Sequence, residues 1–127
     1  MGYSTDFFGN FQLSEQLTDS QVQILRQFSE QRHDGLIGMS QVWCDWVPTQ
    51  DGKGICWNGS EKTYDSVSWL NYVSETFLKK WGIIASGVVR YQGEDDHDCG
   101  VIVAKDGYFS MLGVDRKLDI KQLRVIA

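Results

Sequence analysis

With 127 residues, of which 42% are hydrophobic and 13% aromatic, the chain has the size and apolar content of one domain that can bury a core of its own. Twelve Lys and Arg against seventeen Asp and Glu leave a net charge of -5, which repels a phosphate backbone and disfavours direct nucleic-acid binding. No stretch is apolar enough to span a membrane, and residues 1–13 carry neither a basic region nor an apolar export run, so a cytoplasmic protein is expected.

The opening Gly2-Tyr3-Ser4-Thr5-Asp6-Phe7-Phe8-Gly9 can form a first strand with Tyr3 and Phe7 on one face. A complete helix-start signal follows. Thr18 can cap, Gln21 is its capping-box partner, and Leu17 and Val22 occupy the staple positions, so a helix should begin at Asp19. Its apolar stripe is Val22, Leu25 and Phe28 with Ile24 alongside, and Asp34-Gly35 should end it.

From Gln41 the pattern becomes β. Val42, Cys44 and Trp46 alternate with Trp43, Asp45 and Val47 until Pro48 removes a ladder donor. Asp51-Gly52 and Gly54 supply a turn, and Ile55-Cys56-Trp57 returns as the second strand of a hairpin closed by Asn58-Gly59. A second helix is expected from about Tyr64 to Trp81, with Leu70, Val73, Phe77 and Trp81 on one face and Trp69 beside them. Lys79 and Lys80 oppose its negative end, and Gly82 is placed for the left-handed C′ position. Residues 83–92, 101–104 and 108–112 then read as a three-strand meander with a tight turn at Asp106-Gly107, and residues 115–127 as a short helix or, failing that, an edge strand. The fold expected is α+β: residues 1–127 as a single domain, with two amphipathic helices on one face of a mostly antiparallel sheet. The tryptophan-rich hairpin and the meander make that sheet about five strands.

Chemistry-bearing residues are few, and no catalytic motif occurs. Glu94, Asp95, Asp96 and Asp98 surround His97 in a loop between two strands. Such a loop can hold a hard cation, but the spacing is not that of an EF-hand. Its plainer role is a solvated turn that blocks strand extension, and its functional one an acidic patch for a partner. The odd set Cys44, Cys56 and Cys99 fits free thiols, with Cys44 and Cys56 as small buried groups in strands. Carboxylates beside Cys99 work against a nucleophile there, and no paired spacing suggests zinc. Neither a metal nor a cofactor is expected.

Of the five tryptophans, Trp69 and Trp81 belong to the helix face, and one of Trp43 and Trp46 must enter the core. The other, with Trp57, is left for the opposite sheet face. Two binding surfaces follow. One joins Glu94, Asp95, Asp96 and Asp98 to Trp43 and Trp57 and would engage a basic, nucleic-acid-handling protein. The other places Trp43, Trp57 and Tyr91 around a pocket for a small ligand such as a nucleotide, with Tyr3 in a lid. An exposed tryptophan surface also favours a homodimer.

Several motifs together carry a resemblance. The start Met1-Gly2-Tyr3-Ser4-Thr5-Asp6-Phe7, the run Trp43-Cys44-Asp45-Trp46-Val47-Pro48-Thr49 with Asp51-Gly52-Lys53, and Trp57-Asn58-Gly59-Ser60-Glu61-Lys62-Thr63-Tyr64-Asp65 resemble a family of small uncharacterised proteins from bacteria and their phages. The likeness continues through Trp69-Leu70, Phe77-Leu78-Lys79-Lys80-Trp81-Gly82, the turn Gln92-Gly93-Glu94-Asp95 with Asp98 and Gly100, and Val103-Ala104-Lys105-Asp106. It departs between His33 and Gln41, where relatives often carry a longer insert. What the resemblance implies is a setting: a non-enzymatic inhibitor or accessory protein in the host cytoplasm, occupying a surface on a host protein such as a CRISPR or other defence component.

Overall fold

Alternating apolar and polar residues make strands where glycine turns let the chain return. The computed structural model describes residues 4–33, 43–60, 63 and 65–113. Its strands are β1 (Thr5–Phe8), β2 (Phe11–Leu13), β3 (Trp46–Pro48), β4 (Gly54–Trp57), β5 (Ala85–Gly93), β6 (Cys99–Lys105) and β7 (Tyr108–Gly113). The helices are α1 (Asp19–Glu30) and α2 (Ser66–Val73). The sheet runs β3-β4-β2-β5-β6-β7 with β1 also on β5, and every pairing is antiparallel. The class is therefore α+β, but among the described residues the sheet has seven strands rather than about five. The hairpin β3–β4 and the meander β5–β6–β7 are the expected five, and the amino-terminal segment adds β1, where a first strand was expected, and β2.

These two added strands are halves of one bent strand. Phe8 lies opposite Arg90 and Gln12 opposite Ser86, four residues on in one strand and four back in the other, so the register is continuous across Gly9-Asn10. Gly9 and Gly87 take φ of 102° and 115°, values that L side chains rarely adopt. A Cβ on Gly87 would also lie 2.3 Å from Gln12 Oε1. The bend lets β2 turn to β4, with Phe11 opposite Ile55, while β1 stays along the far end of β5.

Helix α1 begins as its sequence dictates. The Gln21 N–H donates to Thr18 Oγ1 at 3.2 Å and the Thr18 N–H to Gln21 Oε1 at 3.0 Å, which satisfies two otherwise orphaned donors. Leu25 is buried, with Val22 and Phe28 packed on the core, but Ile24 is 42% exposed and leaves the stripe. The helix stops at Glu30, where the Gln31 N–H and His33 Nε2 both donate to the Phe28 carbonyl. The expected stop at Asp34-Gly35 lies outside the described residues, as do Gln41, Val42 and the segment 115–127.

Helix α2 starts at Ser66, after Asp65 in a left-handed conformation, rather than near Tyr64. Beyond Val73 it widens into a π-helical turn, Ser74–Leu78, and closes in a 3₁₀ turn, Lys79–Trp81. The i→i+5 turn shifts the phase of everything after it. Trp69, Leu70, Val73 and Leu78 become the buried face, while Phe77 and Trp81, expected there at helical spacing, are only half-buried. Gly82 takes the expected left-handed cap at φ 75°, with its N–H on Lys79 O and the Ile83 N–H on Leu78 O.

Both helices close on one core cluster, in which Leu25, Trp69, Leu70 and Val73 join Phe7, Phe11, Trp46, Val89, Ile102 and Phe109. Each such side chain contributes about 1.5–3 kcal/mol by leaving water. Phe28 ties the helices together, edge-on to Trp69 and Phe77 and stacked on Tyr72. Among the described residues no helix is long and apolar enough to cross a membrane.

Candidate functional site

The acidic turn between β5 and β6 is built from inside by a neutral amide. Gln92 Nε2 donates to the carbonyls of Gly93 (3.1 Å), Asp95 (3.1 Å) and Asp98 (3.4 Å). The Gly93 N–H reaches Asp98 O at 2.7 Å and the Asp98 N–H reaches Asp95 O at 3.0 Å. Two carboxylates also accept backbone donors: Asp95 Oδ1 from the His97 N–H and Glu94 Oε1 from the Ser4 N–H, each at 2.9 Å. The result is a fixed projection on which Glu94, Asp95, Asp96 and His97 are exposed and Asp98 is half-buried. Among the described residues, no three or more His, Cys, Asp or Glu side chains are grouped to hold a metal ion.

The tryptophans divide differently from the expected scheme. Trp46 is buried and Trp43 is 42% exposed, just before β3. Trp57 stands opposite Trp46 in the β3–β4 pair, and cross-strand partners share a face. Both rings therefore meet Phe7, at centroid distances of 5.0 Å for Trp46 and 5.3 Å for Trp57. Trp57 belongs with the buried indole and not with Trp43. Phe7 also links Trp57 to the acidic turn, because it sits opposite Tyr91, two residues along from the Thr5–Gly93 pair that precedes the turn.

Tyr91 is placed by packing. It is 9% exposed, and a Cβ on Gly100 would lie 2.8 Å from its hydroxyl. Gly100 is its partner on β6 and Gly113 the next across on β7. The phenol thus covers a strip of sheet that has no side chains of its own. Burial, and then the charges of Asp98 and Cys99, push its pKa up. Tyr3 lies outside the described residues.

A cleft of about 470 Å³ does exist, between α1 and the β3–β4 hairpin. Arg26, Ser29 and Glu30 line it from the helix, and Pro48, Cys56, Trp57 and Asn58 line it from the hairpin. Neither Trp43 nor Tyr91 lines it, so of the expected ligand-binding residues the cleft takes Trp57. One Arg26 amino group approaches Pro48 O at 3.5 Å. Trp57 is clamped, its Nε1–H donating to Thr63 Oγ1 at 2.8 Å while that hydroxyl donates to Ser60 O.

The chain matches no family model, no curated protein and no solved structure. Its site is therefore read from its own geometry.

None of the three cysteines is in a disulfide. Cys44 is buried before β3 and its thiol approaches Trp46 O at 3.6 Å. Burial pushes its pKa from 9.0 up to about 12, which keeps it protonated and inert. Cys56, expected to be buried, is half-exposed on the cleft wall; burial raises its pKa while the charge of Arg26 lowers it.

Arg26, Ser29 and Asn58 are the site residues that sequence reasoning passed over. Arg26 and Ser29 are i+4 and i+7 from Val22, on the shoulder of the α1 stripe. A lone cation at such a position was the one local signal. What it faces depends on a hairpin that begins some twenty residues later.

Proposed function

We propose that the chain is a non-enzymatic binding module that engages a basic surface on a partner protein through the acidic 94–98 turn, with the exposed Trp43 as a further aromatic contact. The observation that carries this reading is the construction of the turn. A single carboxamide, Gln92, gathers three backbone carbonyls and so holds Glu94, Asp95 and Asp96 outward in one shape. A turn ordered before binding loses little entropy on binding, and clustered charge speeds encounter with a surface of opposite sign. The resemblance to small bacterial and phage proteins supplies the setting: an accessory protein in the host cytoplasm that occupies a nucleic-acid-handling surface, defence components included.

The test is a pull-down from host lysate at low ionic strength with the wild-type chain and with Glu94→Gln combined with Asp96→Asn, which keeps side-chain size and an acceptor oxygen. Capture that is lost on raising the salt and is weakened in the neutralised variant supports the reading. Absence of any captured protein, or equal capture by both chains, overturns it.

A further inference from the structure

We infer that the cleft between α1 and the β3–β4 hairpin binds a small aryl carboxylate, a singly charged anion with a planar apolar body. The cleft volume of about 470 Å³ is within the range of small-molecule sites. Its walls divide into an apolar part, Val47, Pro48, Cys56 and Trp57, and a polar part that includes Arg26, Glu30 and Asn58.

Arg26 supplies the anion contact. Among the described residues it makes no ion pair, not even with Glu30 one turn on, and its one hydrogen bond is the long contact to Pro48 O. Most of the five donors of its planar fork therefore remain to meet a carboxylate edge-on. The charge reaches the hairpin side as well, since it is felt at the Cys56 thiol. Asn58 adds a donor: its Oδ1 accepts the Ser60 N–H at 3.0 Å, which assigns the other end of the amide as NH₂.

Trp57 supplies the apolar wall. Its N–H is already satisfied by Thr63, and Phe7 supports it edge-on at 5.3 Å. The indole is thus fixed in place with no donor to offer, and a planar hydrocarbon can pack against it without leaving a polar group unpaired. The limit to one negative charge follows from electrostatics. Glu30 shares the lining with Arg26, and the chain as a whole carries -5, so a second charge on the ligand, as in a nucleotide phosphate, meets no second cation.

The experiment titrates the ¹⁵N-labelled chain with 2-naphthoate, its neutral isostere 2-naphthamide, and AMP, following the Trp57 Nε1–H and Arg26 side-chain resonances. Naphthoate should shift both signals saturably and protect Cys56 from alkylation. Naphthamide on the wild type, and naphthoate on Arg26→Gln, should each bind about tenfold or more weakly, as expected for a lost charged hydrogen bond. Arg26 is exposed, so an unchanged backbone amide spectrum will establish that the variant is folded. The assignment is overturned if naphthoate at millimolar concentration leaves Trp57 and Arg26 unmoved, if naphthamide binds as well as naphthoate, or if AMP binds more tightly than either.

Discussion

The side-chain amide of Asn71 closes the edge of the sheet on Phe109. Its Nδ2 donates to Phe109 O at 2.9 Å, and its Oδ1 accepts the Phe109 N–H at 2.8 Å. Since β7 ends the strand order among the described residues, no described strand neighbours these two backbone groups, and an unpaired edge invites pairing with another chain. One residue of α2 stands in for such a strand and docks the helix at the same time.

Replacing Asn71 with Ala should leave both groups of Phe109 without a partner in a half-buried place. The expected cost is about 2 kcal/mol, read as a lower urea midpoint with an unchanged m-value. Light scattering should also show more self-association of Asn71→Ala than of wild type. Asn71→Asp keeps the acceptor but sets an oxygen against Phe109 O, and should do no better than Ala.

The stability of the fold should fall in alkali in a way that Cys44 partly controls. Its folded pKa is about 12, against an ordinary 9.0, so between these values the unfolded chain loses a proton that the folded chain keeps. The contribution is complete below pH 9 and is lost as pH rises towards 12. Cys56 and Tyr91 are shifted upward too, so they add to the same fall. Urea midpoints measured across this range should decline less steeply in Cys44→Ala than in wild type, even if the variant starts lower because of its cavity. Equal slopes would show that the Cys44 thiol is not protected by burial.

Two glycine substitutions separate crowding from backbone strain. A Cβ on Gly100 would lie 2.2 Å from Leu112 O, so Gly100→Ala has to push β7 away from β6 and disturb Tyr91, at about 1–3 kcal/mol. At Gly59 no atom of the described residues lies within 4 Å, and φ is 85°, so the expected cost of Gly59→Ala is the left-handed penalty of about 1–2 kcal/mol. Thermal unfolding should put Gly100→Ala at or below Gly59→Ala, and NMR shifts should spread along β6 and β7 only in the former.

Much of the fold is written in short stretches of the chain. The start of α1 at Asp19 is legible because the two bonds of its capping box join residues three apart. The stop at Gly82 and the turn at Asp106-Gly107, with φ of 54° and 79°, are equally local. The acidic turn is legible too, as composition and position, although the role of Gln92 in shaping it is not.

Local signals thus placed the start of α1, the cap at Gly82 and the β6–β7 turn, together with the α+β class, while the end of α1 at Glu30, the start of α2 at Ser66 and the short β3 were set by packing. What each face meets was likewise settled by the folded chain. Residues 5–13 became two strands because β5, some seventy to ninety residues away, offers them an edge in continuous register. The π-helical turn buried Leu78 in place of Phe77, and within that turn the Ser74 hydroxyl donates to Gly107 O on the β6–β7 turn. Tyr91 was drawn over Gly100, and Arg26 was set beside Cys56 and Trp57. Caps and turns are fixed by bonds spanning a few residues, whereas burial, register and the lining of a cleft depend on partners that only the folded chain brings near.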